Sequence, residues 1–413
     1  MTLHTYIDSN VSSLIGRLRQ LVAIRTVNPP GENYDAATAY LTNELESLGL
    51  AARRFRIPAR MLRRALPAAQ QGYPRFNVLG KLRSRGAKKT LHFNAHYDVV
   101  PVSGRWLGAN PFSGTVRRGW IHGRGTADMK GSIASLLMAL EALRATRTRL
   151  RMNVEVSFTA DEETDSLLGT HWLVDHAPIR PDYAIVMEGG EGGAVCCGHN
   201  GTIWLEVLVH GRAAHGSRPE AGVNALEKMS ALVLALEDYK DRIARRTFVT
   251  PEGRTMRPTI NVGGVFGCGP GAKVNTVPAQ ASFSIDRRVL SIEDHPAAER
   301  DLRAYLAAAA RRIPGCRISV SKISENFACF SKPADPFFAA MAGCVSAVRG
   351  KKTVFNVSTG FNDIHYFVRH LRIPTVGYGP GGRDEHAVNE RARVKDLVAT
   401  AKIYADLMST FEG

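Results

Sequence analysis

The chain has 413 residues, 44% hydrophobic and 22% charged, a length that suits two domains, and no apolar run approaches the roughly 20 residues of a membrane helix. Its N-terminus lacks a basic, apolar leader and its six cysteines form no CxxC pair, which argues against a secretory signal, a disulfide framework or a zinc–thiolate cluster and for a cytoplasmic protein with reduced thiols. The net charge of +16 comes from arginines scattered along the chain (Arg53, Arg54, Arg56, Arg60, Arg63, Arg64, Arg144, Arg147, Arg149, Arg151) without aromatic interleaving, so it reads as a solvated basic surface that can attract anionic substrates, with no nucleic-acid or membrane partner.

In chain order, residues 11–24 and 34–48 carry apolar side chains at helical spacing, and Gly49 supplies a stop signal. Residues 56–75 are basic and proline-containing and read as an irregular surface excursion. Four short apolar runs follow as strands: Phe76–Leu82, Thr90–Ala95, Asn153–Phe158 and Tyr183–Met187. Between the second and third lies an amphipathic helix with Met129, Ile133, Leu136, Leu137, Leu140 and Leu143 on one side. Near-continuous apolar strands separated by helices indicate an α/β layer with a largely buried sheet. The middle of the chain changes character: strand Thr202–Val209, helix Asn224–Tyr239, strands Thr259–Val265 and Ala281–Val289, helix Ala297–Arg312 and strand Arg317–Ile323. This β-α-β-β-α-β order is the split pattern of a ferredoxin-like domain. Then α/β character resumes with helix Phe337–Arg349, strand Ile373–Tyr378 and helix Val394–Met408. The expected organisation is a catalytic α/β domain with a mixed, largely parallel sheet (1–199 and 325–413), interrupted by a ferredoxin-like α+β domain (200–324).

The acids and imidazoles collect where the α/β strands end. Thr90–Ala95 runs into His96-Tyr97-Asp98, Asn153–Phe158 into Asp161-Glu162-Glu163, Tyr183–Met187 into Glu188, and Ile373–Tyr378 through a glycine-rich turn into Asp384-Glu385-His386. Asp128 closes the loop Gly123-Arg124-Gly125-Thr126-Ala127-Asp128 before the helix. Ligands of open α/β sheets bind outside the carboxyl ends of the strands. Each of these groups alone is ordinary, as a helix cap, a surface charge or a loop histidine. Together, one aspartate, two glutamates and two histidines meet the demand of two divalent ions for a bridging carboxylate and terminal ligands. Mixed imidazole and carboxylate donors suit zinc, with cobalt or manganese as alternatives. Asp98 is placed to accept from the His96 ring and fix its tautomer. Glu162, beside a ligand but free of the metal, is placed as general base.

These residues carry a resemblance. The segments His96-Tyr97-Asp98-Val99-Val100-Pro101, Gly123 to Gly131, Thr159-Ala160-Asp161-Glu162-Glu163, Glu188, Asp384-Glu385-His386 and Arg212 to Pro219 resemble those of the metallohydrolases that include acetylornithine deacetylase, succinyl-diaminopimelate desuccinylase, aminoacylase and glutamate carboxypeptidase. The resemblance implies that Asp128 bridges two metal ions, that His96 and Glu188 complete one shell and Glu163 and His386 the other, and that Glu162 is the base. It implies that the inserted domain is a dimerisation or lid domain, so that the chain forms a dimer or higher homo-oligomer. His215 would then reach a neighbouring active site and stabilise the tetrahedral intermediate. Asn275, Arg288 and the loop with Gly360 would contact a small carboxylate substrate, Arg288 as a bidentate clamp. The segment Thr359-Gly360-Phe361-Asn362-Asp363 departs from the Gly-Gly-Thr-Asp type of the family, which leaves the metal chemistry intact and opens the substrate. The expected activity is hydrolysis of an amide C–N bond of an N-acyl amino acid. A dipeptidase, a carbamoyl hydrolase or a deaminase of an amino-substituted aromatic acid would use the same site, and a non-catalytic binding protein would keep only the fold.

Overall fold

The computed structural model describes residues 1–107, 110–190 and 193–413. The chain divides into two compact units. One comprises Met1–Gly198, Ser331–Asn356 and Asn362–Gly413, the other His199–Phe330 with Val357–Phe361.

The first unit is built on a mixed sheet whose strands run in the order Ala51–Arg56, Phe76–Leu82, Asn153–Thr159, Thr90–His96, Tyr183–Val186, Thr375–Gly377 and Val195–His199. The middle four, from Asn153–Thr159 to Thr375–Gly377, are mutually parallel, and the flanking strands join antiparallel. Parallel strands are covered on both faces, and the sequence obliges: Leu91 to His96, Val154 to Thr159 and all of Tyr183–Val186 are buried. Register then aligns the strand ends. His96 lies opposite Thr159 and Asn94 opposite Val186, so the segments that follow three adjacent strands leave the sheet side by side.

Two expectations are corrected. The helix Lys130–Ala145 is not one-sided: Lys130, Ser132 and Ser135 are buried along with Ile133, Leu136, Leu137 and Leu140. It packs against the Thr90–His96 strand and against the helices Val11–Ala23 and Val394–Thr410, so little of its surface is left for water. Its polar groups are satisfied internally: Lys130 Nζ donates to the carbonyls of Leu21 (3.0 Å) and Ile24 (2.9 Å), and Ser132 Oγ to that of Met187 (2.5 Å). The 56–75 segment, in turn, is not irregular. It contains the helix Ala59–Ala65, because Leu62 and Ile57 pack with Leu168 and Trp172 in a small apolar cluster.

At its end, Arg75 is fully buried and donates from Nε to both oxygens of Asp161 (3.1 and 2.9 Å). Asp161 has left-handed backbone (φ 60°) and also accepts from Asn28 Nδ2 (3.1 Å) and Tyr34 Oη (2.9 Å). Burial lifts its carboxyl to about 6, against the pull of Arg75. The loop after strand Asn153–Thr159 is thus pinned from below by a buried charge with few substitutes.

The second unit is a four-stranded antiparallel sheet in the order Thr259–Cys268, Gln280–Val289, Gly201–His210, Arg317–Asn326, with the helices Ala225–Ala244 and His295–Arg312. By position in the motif this is strand order 2-3-1-4, the ferredoxin-like arrangement. Alternate residues of Gln280–Val289 (Ala281, Phe283, Ile285) join Val207, Val209, Leu232, Leu236, Leu302 and Leu306 in one core, and the residues between them on that strand are half-buried. Asn224 caps the first helix by accepting from the amides of Leu226 and Glu227, and Asp294 caps the second through Ala297.

Removing Arg75 strands a buried carboxylate. Arg75→Met is expected to cost about 3–5 kcal/mol of stability, read by urea denaturation of the first unit's transition, and Arg75→Met with Asp161→Asn to recover part of that loss. A single variant as stable as the parent would contradict the account.

Candidate metal centre

The aligned strand ends bring His96, Asp128, Glu162, Glu163, Glu188 and His386 together in the first unit. His96, the last residue of its strand, has its ring buried, and Nε2 lies 3.0 Å from Asp128 Oδ1, 3.2 Å from Glu188 Oε1 and 3.9 Å from Glu162 Oε2. His386 Nε2 lies 3.0 Å from the other Asp128 oxygen and 2.9 Å from Glu163 Oε2. Each Asp128 oxygen therefore faces a different imidazole, and each imidazole has its own glutamate. Two sets of donor atoms can each hold an ion, His96 with Glu162 and Glu188, and His96 with Asp128 and Glu163.

The ring orientation of His96 comes from a nearer partner than expected. Nδ1 lies 3.0 Å from the Asp98 backbone carbonyl but 3.5 Å from its carboxylate. The carboxylate is turned instead to the next loop, accepting from the amides of Glu162 and Glu163 (both 3.2 Å) and from Asn28 Nδ2 (3.0 Å). Asp98 thus fixes the tautomer through its main chain, and through its side chain it holds the turn that carries the two glutamates.

The loop bearing Asp128 is shaped by a residue that sequence reasoning missed. Glu390 is buried, and its Oε1 accepts from the amides of Gly125 (2.9 Å), Ala127 (2.9 Å) and Asp128 (3.2 Å). Its other oxygen pairs with Arg124 (2.6 Å), which also donates to the His386 carbonyl (3.2 Å). Gly125 needs to be glycine here, since it has φ 88° and an added Cβ would lie 2.8 Å from Val99. The only sequence signal for Glu390 was its place four residues after His386. Asn362 and Asp363 were also missed as supports. Asn362 favours the ionised form of Glu188, and Asp363 accepts from Ser166 Oγ and Thr170 Oγ1 (both 2.5 Å), bracing the segment after Glu163. The departure noted at 359–363 therefore falls partly on groups that support the acid cluster.

The electrostatics describe a site short of positive charge. Burial, with the charge of Glu188 beside it, holds the Glu162 carboxyl well above its ordinary range. Burial and the neighbouring Asp128 lift Glu163 to about 7, and burial raises Glu188 as well. Burial disfavours the charged form of His96, but its bonds to Asp128, Asp98 and Glu188 outweigh this and hold the imidazole well above its usual value. Hydrogen bonds to Asp128 and Glu163 raise His386 to about 10. Burial works against ionisation of Asp128 too, yet the two imidazoles keep its carboxyl well below the ordinary range. The two imidazolium groups occupy the role that cations bound to Asp128 would take. The donor set fits two divalent ions: a shared carboxylate, an imidazole and a glutamate for each, and acids that are costly to leave crowded without cations.

The remaining predicted residues lie in the second unit. His215 and Asn275 are brought together there, His215 bridging to Thr276 and the Gly216 amide donating to the Asn275 carbonyl (2.7 Å); both side chains are exposed. Arg288 pairs with Asp286 (2.9 Å), and the Gly360 amide donates to Ser358 Oγ (3.1 Å).

The comparisons with known proteins decide the family. The profile of "Peptidase family M20/M25/M40" matches residues 92–410. The chain belongs to this family. An acetylornithine deacetylase of Proteus mirabilis is 28% identical over 95% of both chains, and a succinyl-diaminopimelate desuccinylase of Acidiphilium cryptum is 27% identical over 94% of this chain and 96% of its own. The structure of the Bacillus subtilis YXEP protein, a dinuclear metal binding peptidase from the M20 family, shares the fold with a TM-score of 0.69 at 14% identity, over 97% of this chain and 98% of that one. As an M20/M25/M40 member the chain is a metal-dependent hydrolase acting on C–N bonds.

Two predictions follow from the site. Because three amides and Arg124 depend on it, Glu390→Ala is expected to lower metal affinity or turnover about 10–100-fold, measured as metal content and kcat; an unaffected variant would show the loop to be self-supporting. Because Glu163 and both imidazoles hold protons near neutrality, adding divalent ions to the metal-stripped chain at pH 7 should release protons, seen as a buffer-dependent heat in calorimetry. Uptake without proton release would refute the charge assignment.

Proposed function

We propose that the chain hydrolyses the amide bond of an N-acyl amino acid or a related small carboxylate, with His96, Asp128, Glu163, Glu188 and His386 holding two divalent ions and Glu162 as general base. The observation that carries this is Asp128, whose two oxygens each lie 3.0 Å from a separate imidazole, each imidazole in turn lying 3.2 or 2.9 Å from its own glutamate. In this reading His96 and Glu188 complete one shell, and His386 and Glu163 the other. Imidazole with carboxylate favours zinc, and cobalt or manganese fits the same donors. When bound, the ions polarise the substrate carbonyl and make water nucleophilic near neutral pH.

The chain's own residues then move the proton. Glu162 lies within reach of the same donors, but it stands farther from His96 than Glu188 does, 3.9 against 3.2 Å, and is assigned to the proton while Glu188 is assigned to the metal. It accepts a proton from the attacking water and returns it to the leaving amine. The Asp98 carboxylate keeps the Glu162 and Glu163 amides in place while this happens. The names of the two relatives, a deacetylase and a desuccinylase of amino acids, support an acylated amino acid as substrate. Arg288 would clamp the substrate carboxylate with Asn275 and Gly360 beside it, and His215 would stabilise the oxyanion in a neighbouring subunit of a homodimer. Six free thiols support a reducing, cytoplasmic setting.

Glu162→Gln should lower kcat by at least about 100-fold while metal content stays at the parent's level; near-normal turnover would sink its role as base. The substrate is tested by screening N-acetyl, N-succinyl, N-formyl and carbamoyl amino acids, dipeptides and amino-substituted aromatic acids with the metal-loaded enzyme. Turnover of none of the acyl amino acids would overturn the substrate class.

A further inference from the structure

Away from the acid cluster, the first unit gathers a second set of metal-ligating side chains. The helix Thr170–His176 presents His171 and Asp175 one turn apart, and His370 comes from the Phe367–Leu371 turn. His171 Nε2 lies 3.3 Å from one Asp175 oxygen and His370 Nδ1 3.4 Å from the other, and one donor atom from each of the three residues lies within 4.8 Å of the others. These separations are long for hydrogen bonds. Bonds of about 2.0–2.1 Å to a single ion require the three donor atoms to draw in only modestly from their present spacing.

The first donor is also held in place. The His171 ring stacks on Tyr366 (5.1 Å between centroids, 17° between planes), and the Tyr366 hydroxyl donates to the Asp165 carbonyl (2.9 Å), so the ring has a fixed support. Asp175 and His370 are exposed, so the remaining coordination positions are open to water and an ion can reach them.

We propose that His171, Asp175 and His370 form a metal site separate from the acid cluster, taking one late first-row divalent ion of the zinc, nickel or copper class. Two imidazoles and one carboxylate are the donors such ions prefer, whereas calcium and magnesium prefer oxygen alone. The site would join two segments that already meet at one buried group: Thr170, next to His171, donates to Asp363, which immediately precedes the 364–371 turn carrying His370. A bound ion therefore clips that turn to the helix from outside, as Asp363 does from inside.

The test is a count. The metal-stripped full-length protein, His370→Ala and Asp175→Ala are dialysed to equilibrium against the same zinc solution, and bound zinc is measured by atomic emission. The parent is expected to hold one equivalent more than either variant. Equal counts in the parent and either variant would overturn the proposal. The readout is a difference, so it holds whether the acid cluster takes two ions or none. His370→Ala is further expected to keep the parent's turnover once loaded, because it touches none of the groups assigned to hydrolysis.

Discussion

Four carboxylates and two imidazoles gathered at the ends of parallel strands form a charge problem that the first unit is arranged to contain. Asp128, Glu162, Glu163 and Glu188 repel one another in a partly buried place, and like charges this close do not all ionise without compensation. The two imidazoles answer part of that demand, one against each oxygen of Asp128. Much of the surrounding structure consists of the supports that crowding requires: Asp98 under the Glu162–Glu163 turn, Arg75 under Asp161, Asn362 beside Glu188, and Glu390 under Asp128. A cluster that seeks positive charge is one suited to cations, which accords with membership of the M20/M25/M40 family.

The supports show how the fold separates two tasks. Parallel pairing with fixed register decides where the strands end, and hence which segments emerge together. Hydrogen bonds between side chains and loop amides then decide the direction in which each segment leaves. Left-handed backbone at Asp161, Asp384 and His386 belongs to this second task. Such conformations cost non-glycine residues of order 1–3 kcal/mol each and persist where the surroundings over-determine them. At Asp161 the surroundings are visible, in Arg75, Asn28 and Tyr34.

Strand and helix positions were largely legible in the sequence, because apolar runs and helical spacing are local signals. So were the six members of the acid cluster, which follow strand ends or a glycine-rich loop. What could not be read was long-range and polar. Arg75 sits in a basic stretch that looks solvent-exposed, yet its partner lies 86 residues further on. Glu390 is one glutamate among many, and its three amide partners lie more than 260 residues earlier. The Lys130–Ala145 helix carries an amphipathic pattern, but helices on either side bury its lysine and serines as well. For Asp98 the residue was legible and the atom was not, since a carbonyl and a carboxylate of one residue compete for the same imidazole and only geometry separates them.

Glu390 has one further implication. By binding three amides of the 125–128 segment and, through Arg124, the carbonyl of His386, it sets the separation of two loops that come from opposite ends of the chain. The conformational entropy of ordering those loops is thus lost once, during folding, and is not charged again when a ligand arrives. In the proposed metal centre, Asp128 and His386 would then meet their ions with both of their loops already ordered.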